Sequence, residues 1–249
     1  MRLDKMLAHM GYGTRSEIKK FVKQGFVTVN GASVKDSGMQ IDPEADEVRV
    51  DGEPVAYREF VYLMMNKPQG VVSATEDARD RTVLDLLDEE YLSFHLFPVG
   101  RLDKDTEGLL LLTNDGKLAH GLLAPRRHVE KTYFAEVEGK VGKEDIEAFA
   151  RGVKLDDGYV TMPAKLTVLA EGNPDAGTVS KIELTIMEGK FHQVKRMFQA
   201  VGKRVVYLKR IAMGGLLLDE HLQAGECREL TSEERDQLFE AAKMAEGSN

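Results

Sequence analysis

Three carboxylates at alternate positions, Asp103, Asp105 and Glu107, stand directly before four leucines in the stretch GRLDKDTEGLLLLTNDG at residues 100–116. Period-two alternation predicts an extended backbone with all three acids on one side. The leucine run is too short to cross a membrane and has the length of a strand buried on both faces. Carboxylates at the edge of a core can hold a metal, solvate a turn, or do chemistry. A calcium loop needs acids at its first, third and fifth positions, glycine at the sixth and glutamate at the twelfth. Counting from Asp103, the acids and Gly108 are in place, but the twelfth residue is Asn114 and leucines fill the interval. The calcium reading fails. A magnesium-assisted phosphoryl site needs only two carboxylates plus substrate phosphates, yet no Walker-type glycine loop or second acidic cluster accompanies it. The six histidines lack ligand spacing, and the lone Cys227 excludes a multi-cysteine site or an internal disulfide. No metal is expected. On composition alone, a solvated turn and a catalytic acid both remain open.

The elements that must position these acids follow from periodicity. Leu3, Met6, Leu7 and Met10 predict a short amphipathic helix over residues 2–10. Thr14 and Glu17 form a capping box for a second helix, with Ile18, Phe21 and Val22 as its buried stripe and Gly25 as its stop. Strands over 26–29 and 47–50 run into the turn pairs Asn30-Gly31 and Asp51-Gly52. Residues 1–55 therefore read as a small domain, 56–59 as a linker after Pro54, and 60–249 as a second domain closed by a terminal helix and tail at 231–249. In that second domain strands are expected over 60–65, 109–112, 131–137, 179–187 and 205–213. Helices are expected after Thr82 and over 117–123, 144–151, 191–201 and 231–244. Strands and helices intermix without a steady βαβ rhythm. The expected class is α+β, with a mixed, mainly antiparallel central sheet flanked by helices.

The chain has 249 residues, 42% of them apolar and 31% charged, which suits a packed core under a soluble surface. No stretch approaches the ~20 apolar residues of a membrane helix, and MRLDKMLAHMGYG lacks the apolar run of a signal peptide. A monomer in a reducing cytoplasm, away from membranes, is expected. The net charge of −8 is unevenly spread: residues 1–35 carry +5, residues 36–55 carry −6, and residues 186–210 carry +6. Two basic clusters in an acidic chain point to a polyanion.

Residues 1–53, through RLDKMLA, the basic second helix and FVTVNG, resemble the S4-like RNA-binding module. In that family the second helix and its loop lie against RNA phosphates, which makes Arg15, Lys19, Lys20 and Lys23 candidate RNA contacts, and Arg2 and Lys5 join them as members of the same basic cluster. GRLDKDTEGLLLLTNDG resembles the signature of RNA pseudouridine synthases of the RsuA type, which modify ribosomal RNA. NKPQG at 66–70, EKTY at 130–133 and EGKFHQVKRMFQAVGKRVVYLKR at 188–210 match further motifs in the family's order. The resemblance implies Asp103 as the essential aspartate and Tyr133 as the aromatic that packs on the target base. It implies Lys195 as the cation beside the aspartate, where the wider family often has arginine. The adjacent Arg196 is the other candidate for that place. Asp105 and Glu107 are then turn or hydrogen-bonding residues. Lys67, Arg101, Arg126, Arg127, His192, Gln193, Arg196, Lys203 and Arg204 complete the candidate RNA contacts.

Making pseudouridine breaks the N1–C1′ bond, turns the base and forms a C5–C1′ bond. Nothing is oxidised and no group is added, so no cofactor is expected. A carboxylate can stabilise the oxocarbenium-like sugar, attack it, or take a ribose proton. Each role needs the charged form, and a nearby cation stabilises it. The base must first leave its stack, and an aromatic face can receive it. The expected partner is ribosomal RNA or an assembling subunit. HQVKRM and KRIAMG look closest to enzymes acting on small-subunit 16S rRNA. The alternatives are a large-subunit enzyme, or a non-catalytic assembly factor. Such a factor would need the basic segments but not Asp103, Tyr133 and a cation together.

Overall fold

Leu3, Met6 and Leu7 face one way on α1 (Leu3–His9) and pack against Ile18 and Val22 of α2 (Arg15–Lys23). The Thr14–Glu17 capping box starts α2 as the sequence predicts. Four short strands follow: β1 (Val27–Val29), β2 (Ala32–Ser33), β3 (Val48–Val50) and β4 (Glu53–Pro54). They form an antiparallel sheet in the order β2-β1-β3-β4. Asn30-Gly31 and Asp51-Gly52 turn its hairpins, all four residues at positive φ. The computed structural model describes residues 1–243. It divides into two units, Met1–Val61 with Leu87–Leu96, and Tyr62–Leu86 with the chain from Phe97 on.

The first unit therefore extends beyond residue 55. The segment 56–59, expected as a linker, packs within it: Tyr57 covers the α1–α2 core, and the Arg58 carbonyl lies 2.9 Å from His9 Nε2. A 3₁₀ helix, Glu89–Phe94, comes from distant sequence to add Phe94, edge-on to His9. So small a core gains stability from each added apolar side chain.

The second unit is built on nine strands among the described residues. They are β5 (Tyr62–Lys67), β6 (Phe97–Pro98), β7 (Glu107–Thr113), β8 (Lys131–Glu138), β9 (Lys165–Ala170), β10 (Ser180–Ile186), β11 (Arg204–Met213), β12 (Leu216–Leu217) and β13 (Cys227–Glu229). The order is β13-β5-β7-β11-β8-β10-β9, with β12 on β11 and β6 on β7. Of these pairings only β7–β11 is parallel, so the sheet is mixed and mainly antiparallel as expected. Leu109–Leu112 are almost wholly buried on both faces of β7. The helices are α3 (Gly116–Leu123), α4 (Lys143–Arg151), α5 (Gln193–Ala200) and α6 (Ser232–Lys243). Leu118 and Leu122 of α3 and Leu238 of α6 cover Leu109, Leu111 and Met213. Phe149 of α4 meets Phe198 of α5 edge-on. No helix among the described residues is long and apolar enough to cross a membrane.

Several boundaries differ from expectation. The strand expected at 60–65 lies at Tyr62–Lys67, because its pairing partner on β7 spans Gly108 to Thr113. Thr82 opens only a 3₁₀ turn, Leu84–Leu86, with Asp85 accepting from its N–H. The helix expected from 191 starts at Gln193, since His192 is left-handed. Met244, the expected end of the last helix, lies outside the described residues.

Candidate functional site

The loop between β6 and β7 carries Asp103. Its shape comes from Lys67, at the end of β5, whose side chain is fully buried. The Lys67 ammonium donates to the carbonyls of Pro68 at 3.0 Å, Asp103 at 3.1 Å, Thr106 at 2.9 Å and Lys104 at 3.5 Å. Burial lowers this lysine to about 8, against the pull of Asp105, Asp103 and Glu107. Three loop carbonyls turned toward one cation cannot lie along an extended strand. The chain instead folds into a turn closed by Thr106 N–H to Asp103 O at 3.0 Å, and β7 begins only at Glu107. This corrects the expectation of an extended backbone with three acids on one side. Glu107 parts from the others and accepts from the Tyr207 hydroxyl at 2.6 Å, while Asp103 and Asp105 converge on one cation.

That cation is Lys195 on α5. Its ammonium lies 2.8 Å from Asp103 Oδ2 and 2.6 Å from Asp105 Oδ1, and His192 Nε2 stands 3.4 Å from Asp103 Oδ1. The Asp103 and Lys195 side chains are 24% and 26% exposed, so the pair is open to a ligand on one side. Burial pushes the Asp105 carboxyl up, but the Lys195 hydrogen bond and charge outweigh it and hold it below the usual range. Burial pulls Lys195 down, but the bonds to Asp103 and Asp105 lift it above its ordinary value. Arg196, about 100° further round the helix, turns away. Its guanidinium binds Asp156, and Asp157 at 2.6 Å.

Tyr133 on β8 is buried and borders two adjoining clefts. The smaller, about 70 Å³, is lined by Asp103, Thr106 and His192. The larger, about 470 Å³, runs past Tyr133 to Lys131, Arg210, Tyr159 and Glu188, with Arg101, Arg126, His128 and Lys190 at its exposed rim. Glu188 accepts from the Tyr159 hydroxyl at 2.6 Å, from Met162 N–H and from the Gln193 amide, which ties the segment around Tyr159–Met162 to the start of α5. Burial, and then the charge of Arg210, lower Lys131 to about 8.

The other sequence candidates are scattered. Arg101, Arg126 and His192 border the clefts. Lys67 is fully buried and spends its donors on backbone carbonyls, while Gln193, also largely buried, lines the smaller cleft with its amide bonded to Glu188. Arg2 pairs with Asp4 at 2.7 Å, Lys203 with Asp145 at 2.7 Å, and Arg204 with Glu138. Arg127 donates to the Lys243 carbonyl. Lys5, Arg15, Lys19, Lys20 and Lys23 are exposed on the first unit. Sequence reasoning missed Arg210, Lys131 and the clamping role of Lys67. All three lie inside the motif segments, but a buried cation looks like a surface one until burial is known.

A family model described as RNA pseudouridylate synthase matches residues 61–200, and one described as S4 domain matches residues 1–48. The chain is 56% identical over 240 residues to an uncharacterized RNA pseudouridine synthase, YtzG, of Bacillus subtilis (strain 168), spanning 96% of this chain and 99% of that one. It is 43% identical over 236 residues to ribosomal small subunit pseudouridine synthase A of Escherichia coli (strain K12), spanning 94% and 98%. A pseudouridylate synthase crystal structure superposes with a TM-score of 0.66 at 40% identity, covering 96% of this chain and 99% of the other.

Proposed function

This chain belongs to the RNA pseudouridine synthase family, and within it we propose that it isomerises one uridine of small-subunit 16S rRNA with Asp103 as the essential carboxylate. The observation that carries the catalytic assignment is the Asp103–Lys195 pair at 2.8 Å, half-open beside Tyr133. A carboxylate that must act on a ribose needs an ionised oxygen facing a cleft. Lys195 donates to Oδ2, which places a positive charge against that oxygen, and His192 Nε2 stands 3.4 Å from Oδ1. The Tyr133 ring edges the same space, where a nucleotide turned out of its stack would rest its base. Unstacking costs a few kcal/mol, which phosphate contacts from Arg101 and Arg126 at the rim and from the exposed cations of α2 offset. Near-full-length identity to an enzyme named for the small subunit supports that subunit over the large one. The partner is then ribosomal RNA or an assembling subunit, and the setting the cytoplasm.

A pseudouridine map of ribosomal RNA from cells with and without the gene tests both halves. One position in small-subunit rRNA should revert to uridine without the gene, and should be restored by the wild-type protein but not by Asp103→Asn. Reversion in large-subunit rRNA would overturn the substrate. Restoration by Asp103→Asn would overturn the acid.

A further inference from the structure

The larger cleft ends on two cations that the Asp103 chemistry leaves unused. Arg210 is 2% exposed, its Nε donates to the Leu109 carbonyl at 2.8 Å, and its Nη2 has no partner. Strand register sets Arg210 directly across from Tyr133, and Lys131 lies two residues along β8 on the same face. Lys131 donates to the Val129 carbonyl at 2.9 Å. All three side chains line the cleft. A buried guanidinium with an unused donor is unfavourable until a ligand completes it.

The chemistry of RNA decides which of its groups can reach this floor. A phosphodiester is tied to the chain on both sides and stays at the rim, where the exposed cations stand. A nucleotide turned out of its stack leads with its base. In a pyrimidine, C4 lies opposite N1, so with C1′ held at Asp103 the group that travels deepest is the one on C4. Resting on the reading that the substrate is a uridine, we propose that Arg210, with Lys131 beside it, forms a base-reading subsite that donates to the uracil O4 carbonyl. Both side chains offer donors only. Cytosine carries an amino donor at that place and so meets donors with a donor, while the one carboxylate among the lining residues, Glu188, is already engaged by Tyr159, Met162 and Gln193. The same contact serves the reaction. When N1–C1′ breaks, its electron pair leaves with the ring and spreads onto the carbonyl oxygens. The pair returns when C5 bonds C1′, and the proton lost from C5 is matched by one gained at N1.

The test is binding of three free ligands to the full-length protein by NMR titration: uridine 5′-monophosphate, cytidine 5′-monophosphate and ribose 5-phosphate. The wild type should prefer the uridine nucleotide about tenfold, the worth of one hydrogen bond to a charged donor. Arg210→Gln, whose amide can donate or accept, should bring that ratio within about twofold while leaving ribose 5-phosphate affinity unchanged, and Arg210→Lys should recover part of it. Lys131→Met, which keeps the Arg210–Leu109 bond, should lower the ratio by a smaller factor and carries the comparison if Arg210→Gln melts early. An unchanged ratio in these variants overturns the proposal. So does an equal loss for all three ligands, which would mark a phosphate site. Neither turnover nor a particular rRNA enters the measurement, so a wrong choice of subunit or of catalytic acid would leave the result intact.

Discussion

Replacing Lys67 with methionine removes one buried ammonium and leaves an unbranched apolar chain in its slot. Keeping that lysine charged is unfavourable. Its ordinary value of 10.5 falls to about 8, which at about 1.4 kcal/mol per unit is roughly 3 kcal/mol at neutral pH. Against this, three carbonyls within 3.1 Å lose a charged donor, at about 1.5–3 kcal/mol each. The freed loop can turn some carbonyls to water and recover part of the loss. The net destabilisation should be about 2 kcal/mol, a drop of several degrees in Tm. Activity should suffer far more, because the same carbonyls belong to the residues that aim Asp103 at the cleft. A shift of about 1 Å at the carboxylate is enough for a hundredfold fall in the chemical step. The assay is single-turnover release of tritium from C5 of uridine, run beside RNA affinity, which should stay within about threefold. A pH series adds a signed check. Between about 8 and 10.5 the unfolded chain holds a proton at residue 67 that the folded one has released, so wild-type stability should rise with pH there. Lys67→Met should lose that share of the slope and keep the share from Lys131. A variant with wild-type single-turnover rate would refute the idea that the ammonium sets the loop.

Lys195→Met should lower the single-turnover rate at least a hundredfold and Lys195→Arg much less, whereas Arg196→Met, which loses its pairs with exposed Asp156 and Asp157 and its bond to the Phe191 carbonyl, should keep the rate within about twofold with only a small loss of stability; the reverse ranking would exchange the two residues. Lys19, Lys20 and Lys23 changed together to glutamine should flatten the salt dependence of RNA binding by up to about 0.7 log units for each phosphate left without its cation, with the rate at saturating RNA unchanged; an unaltered slope would remove α2 from the RNA surface. Gly108→Ala should destabilise by about 3 kcal/mol or more in thermal unfolding, since Gly108 has φ +102° and a Cβ there would stand 2.2 Å from the Arg210 carbonyl; a loss under about 1 kcal/mol would show that β7 and β11 can part at little expense.

The sequence by itself determined whatever depends on near neighbours along the chain. The Thr14–Glu17 capping box, the Asn30-Gly31 and Asp51-Gly52 turns, the doubly buried Leu109–Leu112 strand and the α+β class were all legible, because capping, positive φ and apolar periodicity act over a few residues. The motif order likewise singled out Asp103, Tyr133 and Lys195 from separate segments, and a 100° step along one helix required Lys195 and Arg196 to face differently. What periodicity could not determine was the path of residues 101–106. The alternating acids read as a strand, but a lysine 36 residues before Asp103 gathers their carbonyls into a turn. Which of two adjacent cations meets Asp103, which side the glutamate takes, and whether Lys67 or Gln193 is a surface residue were decided only by packing. The residues concerned come from β5, β7, β8, α5 and β11. Burial reverses what a charged side chain does: a lysine in water offers its charge to any polyanion, while one at 0% exposure spends it on the nearest carbonyls. Burial comes from the strand order β5-β7-β11-β8, which brings together residues far apart along the chain and which no local pattern encodes.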